Sequence, residues 1–244
     1  MTAAWDDPRI SRGMAAQFER RRELLNAGHK ALGWKLAFGA PAAIERLHTN
    51  APLVGFLMQS ALVSSGSSIS IADWKKPAAE PEIAVHLGKD VPAGADRDTA
   101  KDAIAGLGPA IEIADVDHPS DDVEGTLARD IYQRHIILGR NDVTRAGGIL
   151  DGLTARVFRN GSEIASVTGP PALQELTGEL LDIVRHVGNV LAVFGEPLRA
   201  GQIIIAGSII PPLWIAPGEE IVFHLAPVDS VSIRFAPASN GTRC

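Results

Sequence analysis

Pro77-Ala78-Ala79-Glu80-Pro81-Glu82-Ile83-Ala84-Val85-His86-Leu87-Gly88-Lys89-Asp90 decides how this chain is read, together with Gly108-Pro109-Ala110-Ile111-Glu112-Ile113-Ala114-Asp115 further on. In the first stretch Ile83, Val85 and Leu87 alternate with Glu80, Glu82, Ala84 and His86, the two-residue period of a β-strand. Glu80 and Glu82 then project from one face, with Cα atoms about 6.5 Å apart on the strand rise. The second stretch repeats the pattern, with Ile111 and Ile113 on one face and Ala110, Glu112 and Ala114 on the other. In both, an acid stands among alanines, and small neighbours leave room beside it. Three converging carboxylates repel one another unless a cation neutralises them, and an all-oxygen donor set suits Mg²⁺ or Mn²⁺. A chain with 29 acidic residues also yields Glu-x-Glu on a solvated strand edge, and spacing alone leaves both readings open.

Composition bounds the rest. The chain has 244 residues, 45% hydrophobic and 21% charged, long enough to bury a sizeable core in one domain or two. A net charge of −6 argues against a nucleic-acid partner or an anionic membrane surface. The one cysteine is Cys244, so no internal disulfide and no Cys-based metal or nucleophile site is expected. The N-terminal residues lack the basic and apolar regions of a signal peptide, and no apolar run reaches membrane-spanning length. The expected location is cytoplasmic.

Residues 9–27 read as an amphipathic helix ended by Gly28, and Gly33-Trp34-Lys35-Leu36-Ala37-Phe38-Gly39 as an apolar strand. On residue pattern alone the Lys35 ammonium snorkels to the surface. A helix is expected over 96–106 with Asp98 as a plausible cap, and an Asp-rich loop over 115–126. That loop could hold a second ion but reads better as solvated chain. Asn160-Gly161 marks a hairpin, and one long helix is expected over 172–193. Ile203-Ile204-Ile205 reads as a buried strand whose Gly207-Ser208 turn can offer backbone N–H groups to an anion. His86 shares the Glu82 face; packing accounts for it better than ligation does.

Glu-x-Glu-Ile-Ala followed by Pro-Ala-Ile-Glu-Ile resembles the fumarylacetoacetate hydrolase superfamily, over roughly residues 10 to 236. Within it, the chain is most similar to the branch holding 2-oxopent-4-enoate (2-hydroxypentadienoate) hydratase and 4-oxalocrotonate decarboxylase. The resemblance implies an α+β fold, a rolled or sandwiched mixed, mainly antiparallel β-sheet with flanking helices. Residues 1–65 would form a small N-terminal cap, 66–236 the catalytic domain and 237–244 a disordered tail. It implies that Glu80, Glu82 and Glu112 hold a divalent ion, Mg²⁺ or Mn²⁺, and that Lys35 approaches the substrate. Aligned on Gly55, a family aspartate falls at Ser60, which would then occupy a catalytic position as a hydroxyl. Gly207 and Ser208 would face the substrate.

The chain departs from the family pattern at Ala37, at Arg129-Asp130 in place of an Asp-Asn pair, at Gln202 and Ala206, and along 178–186. The implied activity is a metal-dependent hydratase of 2-hydroxy-2,4-dienoates or 2-oxo-enoates in aromatic meta-cleavage catabolism, acting on a small 2-oxo acid as a homo-oligomer. The alternatives are a 4-oxalocrotonate-type decarboxylase, an acylpyruvate-type C–C hydrolase, and a metal-binding member without turnover.

Overall fold

The computed structural model describes residues 4–237. In chain order it runs α1 (Pro8–Asn26), β1 (Ala31–Ala37), α2 (Pro41–Leu47), β2 (Leu53–Met58), β3 (Ser68–Ile69), β4 (Pro77–Leu87), α3 (Arg97–Ala103) and β5 (Ile104–Asp115). There follow α4 (Val123–Ala128), β6 (Gln133–Leu138), β7 (Thr154–Arg159), β8 (Ser162–Thr168), α5 (Pro170–Leu173) and α6 (Leu180–Val193). The last strands are β9 (Ile203–Ser208), β10 (Leu213–Trp214), β11 (Glu220–Ala226) and β12 (Asp229–Phe235). Seven strands form one sheet in the order β2-β1-β9-β4-β5-β6, with β10 added on β4. Five form a second, β3-β12-β11-β7-β8, whose β11 and β12 pack on β5. The architecture is α+β with a mixed, mainly antiparallel sheet system, because β1–β9 and β3–β12 alone among these pairings run parallel.

The two long strands β4 and β5 are the centre, and they are buried on both faces. Ile83, Val85, Ile111 and Ile113 face the main core with Phe223, Leu225 and Ile233. The opposite face, which carries the acids, has only a smaller cluster of Leu57, Ala84, Ala110, Ile136, Ile203 and Ile205. The difference between the faces fixes the register, since a one-residue slip would carry the acids into the main core.

The structure corrects several expectations. Residues 31–58 do not stand apart as a cap: β1 and β2 belong to the large sheet, with β1 seated on β9 by the pairings Gly33↔Ile203 and Lys35↔Ile205. Trp34 and Leu36 are buried in the core, which ties this segment to the sheet. The helix expected over 172–193 is broken into α5 and α6. Gly178, at φ +89°, turns the chain, and Gln174 bridges the gap by donating to the Pro170 carbonyl and accepting from Leu180 N–H. Asp96, not Asp98, caps α3 by accepting from Thr99 N–H. Part of the Asp-rich loop is helical, with Asp122 capping α4. The tail assigned to 237–244 lies, from residue 238 on, outside the described residues.

Candidate functional site

Glu80 and Glu112 are direct cross-strand partners in β4 and β5, and Glu82 follows two residues on. Strand alternation therefore delivers three carboxyl groups to one spot, where one oxygen of each lies within 4.8 Å of the others. Glu82 and Glu112 are buried, at 0% and 1% exposure, which excludes the solvated-edge reading; Glu80 is half-buried. Burial pushes the Glu80 carboxyl up to about 7, helped by Glu112 and opposed by Lys35. Burial raises Glu82 well above the ordinary carboxylate range, with Glu112 and Glu80 adding to the effect. A cation among these oxygens would favour the ionised carboxylates.

Lys35 comes to the cluster from β1 and is only 2% exposed, so the snorkelling alternative fails. Its Nζ forms an ion pair with Glu112 Oε1 and donates to the Ile131 carbonyl at 2.7 Å. Burial works against its charge, yet Glu112, Asp130 and Glu80 outweigh that effect and raise its pKa. Space for the lysine stem comes from Gly55, its register partner on β2. A Cβ there would meet Asp130 Oδ1 at 2.9 Å and Lys35 Cγ at 3.0 Å.

Asp130 is the residue that sequence reading passed over. It is 5% exposed, its Oδ1 accepts from Phe56 N–H at 2.8 Å, and burial drives it up to about 8 despite Lys35 and that hydrogen bond. It opens a turn in which Asp130, Ile131 and Tyr132 have φ values of +62°, +49° and +64°. Three successive side-chain-bearing residues in the left-handed region are costly, each by about 1–3 kcal/mol, and such strain gathers at functional sites. Here the turn aims the Ile131 carbonyl at Lys35. The signal available in the sequence was the departure at Arg129-Asp130.

The Gly207-Ser208 turn serves differently from expectation. Gly207 N–H donates to Glu82 Oε2 at 2.7 Å, so it orients a carboxylate of the chain in place of an incoming anion. Glycine is required because φ is +95°. Ser208 Oγ donates to the Pro81 carbonyl at 3.4 Å, and both residues line the cavity above the acids. Ser60 is not part of the site. It is exposed on the turn after β2, does not line the cavity, and its hydroxyl faces His29 Nδ1 at 3.3 Å. The strand β2 ends at Met58, and residues 59–61 turn away from Lys35. His86 also lies outside the acid group, as do the acids of 115–126; among the described residues only Glu80, Glu82 and Glu112 form such a cluster.

The cavity holds about 450 Å³ and opens over Glu80, Glu112 and Lys35. Its walls are largely apolar, from Leu36, Phe38, Ile131, Leu176, Ile210 and Trp214. The break between α5 and α6 is what brings Leu176 and Thr177 into this wall.

The residues present fit a divalent cation. The donor set is three carboxylates, all oxygen, and Glu82 Oε1 is buried without any hydrogen-bond partner. A buried carboxylate oxygen left in this state is costly unless a ligand satisfies it.

Comparison with known proteins finds relatives along most of the chain. The model of the family described as fumarylacetoacetate (FAA) hydrolase C-terminal matches residues 25–235. A 2-hydroxyhexa-2,4-dienoate hydratase of Comamonas testosteroni is 26% identical over 86% of this chain and 80% of its own length. A 4-oxalocrotonate decarboxylase of Pseudomonas putida is 27% identical over 90% and 83%. Among solved structures, 4-oxalocrotonate decarboxylase from Pseudomonas putida G7, complexed with magnesium and adipate, superposes with a TM-score of 0.83. It is 25% identical, over 93% of this chain and 86% of the other.

Proposed function

The chain belongs to the fumarylacetoacetate (FAA) hydrolase C-terminal family, and we propose that it is a divalent-metal-dependent hydratase of 2-hydroxy-2,4-dienoates and their 2-oxo-enoate tautomers in aromatic meta-cleavage catabolism. The observation that carries this reading is the three-carboxylate cluster beside a buried lysine at the floor of an apolar cavity. Glu80, Glu82 and Glu112 would hold Mg²⁺ or Mn²⁺. When bound, the ion supplies Lewis-acid polarisation of a 2-oxo acid.

The chain's own residues do the rest. Gly207 N–H fixes the orientation of Glu82, and the Ile131 carbonyl and Glu112 hold Lys35 in place. The Lys35 ammonium, kept protonated by its acidic neighbours, places a fixed positive charge where negative charge develops on the 2-oxo oxygen. Leu36, Phe38 and Ile210 exclude bulk water, which strengthens that interaction. Water addition places hydroxyl on C4 and hydrogen on C3 of the 2-oxo-3-enoate, and both carbons are activated through conjugation with the 2-oxo group.

Decarboxylation is the second reading, favoured by the superposition on 4-oxalocrotonate decarboxylase. It uses the same polarised 2-oxo group. One experiment separates the two: purified protein with Mg²⁺ is given 2-hydroxypenta-2,4-dienoate, followed by ultraviolet loss of the dienol, and 2-oxohex-3-enedioate, followed by released CO₂. Turnover of the dienoate that EDTA abolishes supports the hydratase; CO₂ release with no hydration replaces it by the decarboxylase.

A further inference from the structure

Asp130 is buried, at 5% exposure, yet it belongs neither to the three-carboxylate cluster nor to the residues that line the cavity. It stands behind Lys35, and its contacts show what it fastens. Its Oδ1 accepts from Phe56 N–H at 2.8 Å, on β2, the outer strand of the large sheet. Its own N–H donates to the Leu127 carbonyl, and Ile131 N–H donates to the Thr126 carbonyl, both at 2.9 Å near the end of α4. The Tyr132 carbonyl accepts from Asp115 N–H at 3.0 Å, at the end of β5. The left-handed turn 130–132 is thus tied to α4, β5 and β2, and the Asp130 side chain makes the tie to β2.

These ties converge on Lys35. In the pairing of β1 with β2, Gly55 stands opposite Lys35 and Phe56 opposite Trp34, so the Asp130 carboxyl grips the strand beside the lysine. Asp130 Oδ1 and Lys35 Cε lie 2.9 Å and 3.1 Å from the place a Gly55 Cβ would take, and the carboxyl therefore also borders the lysine stem. One residue on from Asp130, the Ile131 carbonyl accepts from Lys35 Nζ at 2.7 Å. An ammonium group carries three N–H donors. Glu112 and Ile131 engage two of them, which leaves one for the cavity that Lys35 lines.

Resting on the proposed 2-oxo acid chemistry, we infer that Asp130 is a positioning residue: by pinning the 130–132 turn to β2 it holds the Ile131 carbonyl against Lys35, and so sets where the remaining N–H of the ammonium points. What it supplies is an acceptor oxygen and a side chain that tolerates the left-handed region, and asparagine offers both. Without the tie, a turn strained at three successive residues is free to relax. Lys35 then loses its fixed direction, while the three glutamates and the cavity walls stay in place. A misplacement of about 1 Å can cost on the order of a hundredfold in rate. The contact made by Lys35 strengthens as charge develops on the 2-oxo oxygen, so the loss falls on kcat and not on KM.

Asp130→Gly keeps a residue at ease with a φ of +62° and removes the carboxyl, so the turn stays possible and only the tie is lost. With Mg²⁺ and 2-hydroxypenta-2,4-dienoate, or 2-oxohex-3-enedioate where that is the acid turned over, it should lower kcat about ten- to hundredfold and move KM by less than about twofold. Asp130→Asn should restore most of that kcat. In a Lys35→Met background Asp130→Gly should cost nothing further, because it acts through the lysine. A readout independent of turnover is the proton–nitrogen NMR spectrum of the lysine ammonium groups. Lys35, buried and held by two partners, exchanges slowly with water there, and its signal is assigned by its loss in Lys35→Met. That signal should persist in Asp130→Asn and broaden or vanish in folded Asp130→Gly. Wild-type kcat in Asp130→Gly, a further loss in the Lys35→Met background, an unchanged Lys35 signal, or no such signal in wild type would each overturn the positioning role. If wild type turns over neither acid, the 2-oxo acid reading fails, and the ammonium signal still decides whether Asp130 holds Lys35.

Discussion

Lys35 carries its charge with almost no water around it, held between Glu112 and the Ile131 carbonyl. Removing the charge while keeping the length, as in Lys35→Met, should lower kcat/KM by about a hundredfold or more, because a fixed cation acts most strongly in a dry site. It also leaves the acid cluster uncompensated. In EDTA the variant should lose about 3 kcal/mol of stability to urea, the cost of breaking a buried ion pair, and Mg²⁺ should restore part of it. Ser60→Ala, on the exposed turn, is the control and should change neither quantity. Asp130 predicts a pH dependence. Its carboxyl titrates near 3.8 in the unfolded chain and is raised to about 8 in the folded one. Below about pH 4 both states hold the proton, and its contribution to stability is fully present. As pH rises toward 8 the unfolded chain releases the proton and the folded one keeps it, so that contribution is lost. Asp130→Asn keeps an acceptor for Phe56 N–H and has no proton to release. Its unfolding free energy relative to wild type should climb between about pH 4 and 8 in denaturant melts, and a flat difference would contradict the buried, protonated carboxyl.

Among the elements, β1 links the core to the site. It joins β2 to β9, and it presents Trp34 to the core and Lys35 to the site from adjacent positions. Its approach to β9 depends on Gly33, where an added Cβ would stand 2.0 Å from the Ile203 carbonyl oxygen. The obstacle is backbone, so no rotamer change relieves it. Gly33→Ala should therefore cost about 3 kcal/mol, at the upper end for overpacking. Because Lys35 moves with the strand, the soluble fraction should lose activity as well. Activity retained at wild-type level would mean that β1 can shift without carrying Lys35 away. The split between α5 and α6 shows the opposite use of glycine. Gly178 stops the helical run, and the residues freed from it become cavity wall.

For the whole molecule, the acid cluster is a local cost that a ligand can remove. The protein should gain stability from Mg²⁺ or Mn²⁺, by about 2.7 kcal/mol when the ion is at a hundred times its dissociation constant. EDTA should reverse the gain, and Glu82→Gln should abolish most of it, since Glu82 has the unsatisfied buried oxygen. Thermal melts with and without the ion decide this, and equal gains in wild type and variant would remove the three glutamates as ligands. No helix among the described residues is long and apolar enough to cross a membrane.

The sequence by itself determined which residues share a face. Alternation along β4 and β5 put Glu80, Glu82 and Glu112 on one side and the isoleucines on the other, and the motif around them carried the family resemblance. That pattern is local, so it survives inspection of a single stretch. Only the tertiary structure decided what those faces meet. Lys35 reaches Glu112 across 77 positions, and Gly207 reaches Glu82 across 125, through strand neighbours that no local period specifies. Asp130 and Ile131 enter the site through a left-handed turn that ordinary side chains avoid, and no propensity predicts it. Ser60 leaves the site for the matching reason: alignment by sequence spacing cannot see where β2 ends and the chain turns outward. Periodicity orients a side chain within its strand, whereas pairing between distant strands chooses its company, and the chemistry of this site depends on that company.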